Sequence, residues 1–169
     1  MNRLMARFVS LLLCLCCWFP LVGQTMPDDK NKIAQLNADF ADLQQSKHQG
    51  EFKGNVELVQ GTTRLYADRA TINGDEANKL QLAIAYGSST TQAHYLTQTD
   101  INKPLLHAYA DEIHYYPVKH RIDLLGNARV VQGNNVLSAN KISYDTLEQR
   151  VISESSGKGR VTIVINPEK

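Results

Sequence analysis

The feature that most constrains the fold of this chain is an internal repeat. The stretch FKGNVELVQG at residues 52–61 returns as LLGNARVVQG at residues 124–133, which is 72 positions later. Residues 52–73 and 124–145 share seven identities in 22 positions, namely Gly54/Gly126, Asn55/Asn127, Val59/Val131, Gln60/Gln132, Gly61/Gly133, Leu65/Leu137 and Ala67/Ala139. A chain that contains one unit twice is expected to stack two copies of one supersecondary structure.

A second signature, alanine followed by Asp or Asn, marks the same unit. It occurs at Ala38-Asp39, Ala67-Asp68, Ala110-Asp111 and Ala139-Asn140. Gly54 and Gly126 each follow such an alanine by sixteen residues. We interpret each unit as an Ala-Asp strand, a Gly-Asn turn, a strand, a Gln-Gly turn and a strand with Ala-Asp or Ala-Asn. The regular placement of the four Asp and Asn residues favours hydrogen bonds that cap turns over acid and base catalysis.

Alternation of apolar and polar residues predicts which side of these strands is dry. Val56 and Leu58 flank Glu57, so the even positions are expected to face an apolar interior, and the second copy repeats this pattern. Further along each copy the apolar residues move from odd to even positions. One extra residue at Asp68-Arg69 and at Asn140-Lys141 would produce this change, so we predict a β-bulge or a sheet corner at both places.

The rest of the chain favours an all-β domain. From Ile33 onward, short stretches rich in Val, Ile, Leu, Thr and Tyr are separated by Gly, Asn and Asp at intervals of about 8 to 12 residues. The best helical candidate is Ala34 to Gln45, for which strand and turn are favoured. Short repeated strands with corners predict stacked or rolled sheets, either a β-solenoid or a jelly-roll.

The last strand is predicted at Arg160 to Asn166, with one apolar face. Val161, Ile163 and Ile165 lie on that face. An unpaired edge of this kind promotes aggregation unless it is covered or accepts a partner strand. We therefore expect these three residues to form an oligomer edge.

The N-terminus predicts export from the cytoplasm. Arg3 and Arg7 precede an apolar run from Phe8 to Val22, which is shorter than the roughly 20 residues that a spanning helix needs. We predict a signal peptide at residues 1–24, a flexible lead at 25–32 and one β domain at 33–167, with an uncleaved anchor as the alternative. All three cysteines lie inside the signal segment, so the mature domain has no thiol for disulfides or metal binding.

The composition and motifs predict no catalytic residue, no cofactor and no metal. The net formal charge is +1 and there is no concentrated basic face, so a nucleic-acid partner is not expected. There is no phosphate-binding Gly-Lys motif and no nucleophile elbow. In a continuous strand, His107 and His114 would lie on opposite faces, which argues against a shared metal. Tyr109, Tyr115 and Tyr116 are either ordinary strand formers or the amphipathic wall of a groove.

Five stretches together carry a resemblance to a known family. FKGNVELVQG, LYADRATI, HAYADEIHYY, LLGNARVVQGNNVLSANKISYD and GKGRVTIVINP resemble, in content and order, the OstA-like family of periplasmic lipopolysaccharide-export proteins. The similarity runs from about Ile33 to Pro167. It implies a twisted, open β-jelly-roll that holds lipid A acyl chains in an apolar groove in the periplasm. It also implies head-to-tail self-association and contacts with an LptC-like inner-membrane protein and an LptD-like outer-membrane protein.

On this resemblance, ten inward residues are predicted to line the lipid groove. They are Leu36, Leu43, Phe52, Val56, Leu58, Ile113, Tyr115, Leu124, Ala128 and Val130. For each of them an ordinary closed core is the alternative. Two other functions stay open at this point: a membrane-anchored, LptC-like relative, and an envelope scaffold that binds no lipid.

Overall fold

The computed structural model describes residues 32–146, 148, 150–155 and 159–166 of the chain. It contains twelve strands: β1 (Ala34–Asn37), β2 (Phe40–Gln44), β3 (Gln49–Gln60), β4 (Thr63–Gly74), β5 (Leu80–Tyr86), β6 (Ala93–Thr97), β7 (Leu106–Ala110), β8 (Glu112–Tyr116), β9 (Arg121–Gln132), β10 (Asn135–Asp145), β11 (Arg150–Glu154) and β12 (Thr162–Val164). The predicted helical candidate forms β1 and β2, and a single 3₁₀ turn, Gln45–Lys47, follows. The predicted signal segment lies outside the described residues.

The strands form one antiparallel sheet that is folded into two layers. Layer A has the strand order β1, β3, β4, β6, β7, β9, β10, β12, and layer B has the order β2, β3, β4, β5, β8, β9, β10, β11. The four long strands β3, β4, β9 and β10 belong to both layers, because each is bent near its middle. The prediction of an all-β, open jelly-roll built from two repeats is confirmed.

The bend in the first long hairpin is a β-bulge. Lys53 pairs with Arg69 and Val56 pairs with Ala67, so Gly54 and Asn55 together face the single residue Asp68. In β9, Gly126 and Asn127 face Asn140 in the same way. The line of bends through the sheet is called the corner below.

The corner confirms the predicted bulge or corner at Asp68-Arg69 and Asn140-Lys141, where the ladders shift register, and it corrects two details of that interpretation. The Gly-Asn pairs are not turns but lie inside continuous strands, and the extra residue of each bulge lies there rather than at Asp68-Arg69 or Asn140-Lys141. Both residues of each pair have left-handed backbones, with φ of 72° and 47° at Gly54-Asn55 and of 76° and 47° at Gly126-Asn127. Gly and Asn tolerate this conformation in turns and in bulges alike, so the local sequence does not separate the two.

Each bulge is held by the aspartate that precedes it by fifteen residues. Asp39 N–H donates to the carbonyl of Gly54 over 2.9 Å, and Asn55 Nδ2 donates to Asp39 Oδ2 over 2.9 Å. Asp111 makes the same two contacts with Gly126 and Asn127, both over 3.0 Å. A Cβ at Gly54 or Gly126 would overlap the carboxylate of the partner aspartate. The spacing between the Ala-Asp and Gly-Asn signatures therefore reflects a tertiary contact.

The repeat extends beyond the region that sequence identity marks. Loops at the rim of layer B carry Lys47-His48 and Lys119-His120, again 72 residues apart. Both histidines have left-handed backbones, and their carbonyls accept from Gly74 N–H and Thr146 N–H over 2.7 and 2.8 Å. The first unit comprises β1 to β6 and the second comprises β7 to β12, with β5 and β6 as the counterparts of β11 and β12.

Within the part of the chain that the structure describes, no helix is long and apolar enough to cross a membrane.

Candidate functional site

The facing sides of the two layers form a groove whose residues fall into tiers. The first tier, next to the corner, consists of Val56, Ala67, Ala93, Ala110, Ala128 and Ala139 on layer A and of Phe52, Ala70, Ala85, Ile113, Leu124 and Ile142 on layer B. The second tier, two residues further along each strand, consists of Leu36, Leu58, Leu65, Tyr95, Ala108, Val130, Leu137 and Ile163 on layer A and of Leu43, Gly50, Ile72, Ala83, Tyr115, Ile122, Tyr144 and Val151 on layer B.

Burial falls from the corner to the mouth of the groove. Along β8, Ile113 is 4% exposed and Tyr115, two residues later, is 37% exposed. Along β9, Ala128 is 1% exposed and Val130 is only half-buried. At the N-terminal end, Leu43 is 66% exposed although it points into the groove. The first tier is thus a mostly closed core, and the second tier, apart from buried positions such as Ala108, is an apolar lining that the protein covers only in part.

Small side chains explain why the layers close tightly at the corner. Five of the six first-tier residues of layer A are alanines, whereas layer B contributes larger side chains such as Phe52, Leu124 and Ile142. Packing large residues of one layer against small residues of the other fills the space without a gap. The groove is therefore V-shaped, narrow at the corner and open at the opposite side.

A third tier closes the apolar wall of layer A with polar residues. In the central strands it consists of Gln60, Thr63, Thr97, Leu106, Gln132 and Asn135. Thr63 Oγ1 and Thr97 Oγ1 share a hydrogen bond of 2.8 Å. Gln132 Nε2 donates to Thr99 Oγ1 over 2.7 Å and to the carbonyl of Pro104 over 3.1 Å. This polar tier includes both glutamines of the repeated Gln-Gly pairs, which do form hairpin turns as predicted.

All ten predicted groove residues lie on the inner faces. Phe52, Val56, Ile113, Leu124 and Ala128 belong to the first tier and are buried against neighbouring side chains. Leu36, Leu43, Leu58, Tyr115 and Val130 belong to the second tier, at the mouth. The alternation rule therefore placed the residues on the correct side of the sheet, and contact of these residues with lipid stays a prediction.

Two groove tyrosines are absent from the ten predicted residues. Tyr95 and Tyr144 lie in the second tier with Tyr115, so three phenol rings line the mouth. Burial raises the pKa of Tyr115. The change of apolar positions from odd to even already predicts that Tyr144, two residues after Ile142, points inward, whereas no such pattern marks Tyr95.

The two ends of the sheet expose apolar edges. At the C-terminal end, Ile163 is 62% exposed and Ile165 is 75% exposed, with Val161 beside them. Only three residues, Thr162–Val164, pair with β10, so the predicted last strand is shorter than expected. At the N-terminal end, Phe40 and Leu43 of β2 are exposed. Among the described residues, the outward edges of β1, β2, β11 and β12 have no further strand beside them.

The outer face of layer A carries a stack of rings that joins the two units. His94 lies between Tyr66 and Tyr109, with ring centroids 5.9 and 4.3 Å away, and its Nε2 is 3.0 Å from Nδ1 of His107. His107 and His114 both point outward, on different layers, because the corner at Asp111 separates their strands. The predicted opposite faces of one strand were therefore wrong.

The stability of the protein should depend on pH through His94, the central ring of this stack. Burial, and then the neighbouring His107, lower the pKa of His94 below the ordinary value of about 6.5. The folded state then binds a proton at His94 less readily than the unfolded state, so its contribution to stability is present above about pH 6.5 and is lost as the pH falls. Tyr66 on β4 and Tyr109 on β7 face the ring, and Arg129 on β9 is the cross-strand neighbour of Tyr109.

We expect the urea midpoint to fall between pH 7.5 and 5.5, and to fall less in a His94→Phe variant, which keeps a ring in the stack without a titrating group. His120→Asn is the matched control, because it removes a histidine at the rim and should retain the full pH dependence. An equal fall in the wild type and in His94→Phe would contradict the assignment to His94.

Among the described residues, no group of three or more His, Cys, Asp and Glu side chains lies close enough together to hold a metal ion. The groove offers an apolar lining, phenol and amide groups, and an open mouth. Such a surface is suited to amphipathic molecules.

Comparison with known proteins identifies what the chain resembles. Residues 35–150 match the model of a family described as LptA/(LptD N-terminal domain) LPS transport protein. The chain is 27% identical to the lipopolysaccharide export system protein LptH of Pseudomonas aeruginosa, over 96% of this chain and 98% of that protein. It is 28% identical to the lipopolysaccharide export system protein LptA of Escherichia coli K12, over 98% of this chain and 87% of that protein.

The fold agrees with a solved structure. The crystal structure of LptH, the LptA-homologous periplasmic component of the lipopolysaccharide transport device of Pseudomonas aeruginosa, superposes with a TM-score of 0.74 at 27% identity. The match covers 83% of this chain and 100% of that one.

Proposed function

This chain belongs to the LptA/(LptD N-terminal domain) LPS transport protein family, and from that premise we propose that it carries lipopolysaccharide across the periplasm. The acyl chains occupy the groove between the layers, and the sugars stay in water at its open side. No step of this function needs a covalent reaction, so the chain acts as a carrier and not as an enzyme.

The observation that carries this proposal is the exposed second tier. Leu43 and Tyr115 point into the groove and yet are 66% and 37% exposed, so the two layers leave an apolar lining uncovered. Burying a CH₂ group contributes about 0.8 kcal/mol, so an acyl chain of a dozen carbons costs on the order of 10 kcal/mol to hold in water. A groove with this lining removes most of that cost at each position along its length.

The tiers divide the ten groove residues by role. We expect second-tier residues such as Leu43, Leu58 and Tyr115 to contact acyl chains without any movement of the layers, because their side chains are already at least partly exposed. First-tier residues such as Val56 and Ala128 are buried by protein, at 2% and 1% exposure, and reach lipid only when the layers separate at the mouth.

Site-specific photo-crosslinking tests this proposal. With benzoylphenylalanine at Leu43 or Tyr115, we expect lipopolysaccharide adducts in cells, with fewer adducts at Phe52 and at Val56. Glu57 is the matched control, because it lies between Val56 and Leu58 on the same strand but points outward. Equal adducts at Glu57 and Tyr115, or a protein purified without harsh detergent that retains no lipopolysaccharide, would rule the carrier function out in favour of a scaffold.

Carriage over a distance needs a continuous groove, and the repeat supplies a way to extend it. Within the chain, β5 and β6 of the first unit pair with β8 and β7 of the second, for example Ala85 with Ile113 and Tyr95 with Ala108. The open edges of β11 and β12 are the counterparts of β5 and β6, and those of β2 and β1 are the counterparts of β8 and β7. The C-terminal edge of one copy can therefore pair with the N-terminal edge of another copy, in the same way as the two units pair within one chain.

This equivalence supports one particular register for the proposed joint. Lys141 is the counterpart of Arg69, so Glu154 corresponds to Tyr86 and Ser153 to Ala85. Ala41 is the counterpart of Ile113, so Ser153 of one copy is placed opposite Ala41 of the next. On layer A, Ile163 is placed opposite Leu36 by the same reasoning. Val161, Ile163 and Ile165 thereby become the oligomer edge.

The same edges serve the other partners that we propose. An LptC-like inner-membrane protein would pair with the N-terminal edge and an LptD-like outer-membrane protein with the C-terminal edge, each through a related sheet end. The periplasm is the proposed location, in line with the description of LptH as a periplasmic component.

A further inference from the structure

The third tier of layer A is mostly polar, and binding of acyl chains alone does not explain polar residues at this position. Of its six central residues, only Leu106 is apolar, whereas the two tiers below are almost entirely apolar. Gln60, Thr63, Thr97 and Gln132 are partly buried and form a band across the wall, and the exposed Asn135 lies at its end.

The band is held in place by hydrogen bonds between its own members and the loop above it. Thr63 and Thr97 bond to each other across β4 and β6, and Gln132 bonds to Thr99 and Pro104 of the β6–β7 loop. Gln98 N–H donates to Thr62 Oγ1 over 3.3 Å and ties the loop to the first hairpin. Polar groups that are fixed in this way are suited to orient a ligand.

The depth of the band matches an amphipathic lipid. From Val56 to Gln60 the wall rises four residues, or about 13 Å at roughly 3.3 Å per residue. The hydrocarbon of one bilayer leaflet is about 15 Å deep, half of the roughly 30 Å core. A lipid with its acyl chains along the wall therefore has its polar head at the level of the band.

We propose that the third tier, centred on Thr63 and Thr97, is a subsite for the sugar head of the lipid. Its hydroxyl and amide groups are uncharged and both donate and accept hydrogen bonds, which suits the hydroxyl and amide groups of an aminosugar. This inference rests on the proposed function, and it adds that the groove recognises the head as well as the chains. The subsite sets the depth at which the lipid lies.

The double variant Thr63→Val/Thr97→Val tests it. Both members of one hydrogen-bonded pair become apolar groups of the same shape, so neither is left unsatisfied and the fold should persist. We expect binding of fluorescently labelled lipopolysaccharide to weaken roughly fivefold to tenfold, the loss of one to two hydrogen bonds. Binding of dansyl-undecanoic acid, which has a chain and no sugar, should change less than twofold. Thr71→Val, on the outer face of layer B, is the control for a threonine-to-valine change away from the groove.

The outcomes separate the two proposals. An equal loss for both probes would mean that the threonines support the wall only, and no loss for either would mean that the head lies elsewhere; each overturns the subsite. If the wild-type protein binds neither probe, the proposed function fails and the subsite falls with it. If the wild-type protein binds both probes and the double variant loses affinity for lipopolysaccharide only, both proposals are supported.

Discussion

Gly126→Ala is expected to lower the free energy of unfolding by roughly 3 kcal/mol. A left-handed backbone costs a residue with a Cβ about 1 to 2 kcal/mol, and Gly126 has φ of 76°. The new Cβ would also displace the Asp111 carboxylate, which accepts from Asn127 Nδ2 and Gln92 Nε2 over 3.0 and 3.2 Å. Each lost hydrogen bond adds about 1 kcal/mol. Chemical denaturation should show the change, together with a fall in Tm of about 10 °C.

Gly133→Ala is the control for the backbone effect alone. Gly133 has φ of 57° in a hairpin turn, and the nearest contact of an added Cβ is Pro104 Cγ at 3.3 Å. We expect a loss of about 1 to 2 kcal/mol there. In Asp111→Ala/Gly126→Ala the overlap is absent, so the double variant should lose less than the sum of the two single variants. A Gly126→Ala protein within about 1 kcal/mol of wild type would refute this account of the corner.

Ile163→Pro is expected to weaken head-to-tail assembly tenfold or more. Proline removes a ladder donor and its ring prevents close pairing, which is tolerated only at an edge that stays unpaired. Ile163 is 62% exposed on β12, so the monomer loses little apolar burial. Light scattering over a concentration series measures the change, and thermal melting checks that the monomer remains folded. Ile163→Val keeps the donor and should assemble normally, and an Ile163→Pro protein of unchanged size would count against the joint.

Cysteine pairs test the register of that joint directly. Ser153→Cys in one copy and Ala41→Cys in the other would be direct cross-strand neighbours, with Cβ atoms roughly 4.5 to 5.5 Å apart, near the separation that a disulfide needs. Ser153→Cys with Leu43→Cys is displaced by two residues and should not cross-link. Preferential linkage of the displaced pair would show that the copies join in another register.

Parity and repetition predict much of this molecule, because both can be recognised in the sequence without knowledge of tertiary contacts. Alternation placed Val56, Leu58 and Tyr115 on the inner face, and the 72-residue spacing predicted two units. The rim loops at Lys47-His48 and Lys119-His120 have the same spacing, but two identical residues are too few to indicate a repeat from sequence alone.

The remaining features depend on contacts that a local pattern does not contain. The Gly-Asn pairs predict turns, because Gly and Asn prefer left-handed backbones in turns and in bulges alike. The contacts that decide for a bulge come from Asp39 and Asp111, fifteen residues away. Strands β11 and β12 match β5 and β6 in pairing and not in sequence, so only the sheet shows their equivalence. The angle between the layers decides which groove residues form the closed core and which form the lining. The alternation of apolar and polar residues does not predict this angle.

The eight strands of each layer give the chain a fixed length. At about 4.8 Å per strand, one copy adds roughly 38 Å of groove. In the proposed assembly, a joint in the internal register would add no gap and no overlap, so the assembly would grow only in whole steps of this size. The distance that such a bridge spans would then be set by the number of chains and not by stretching them.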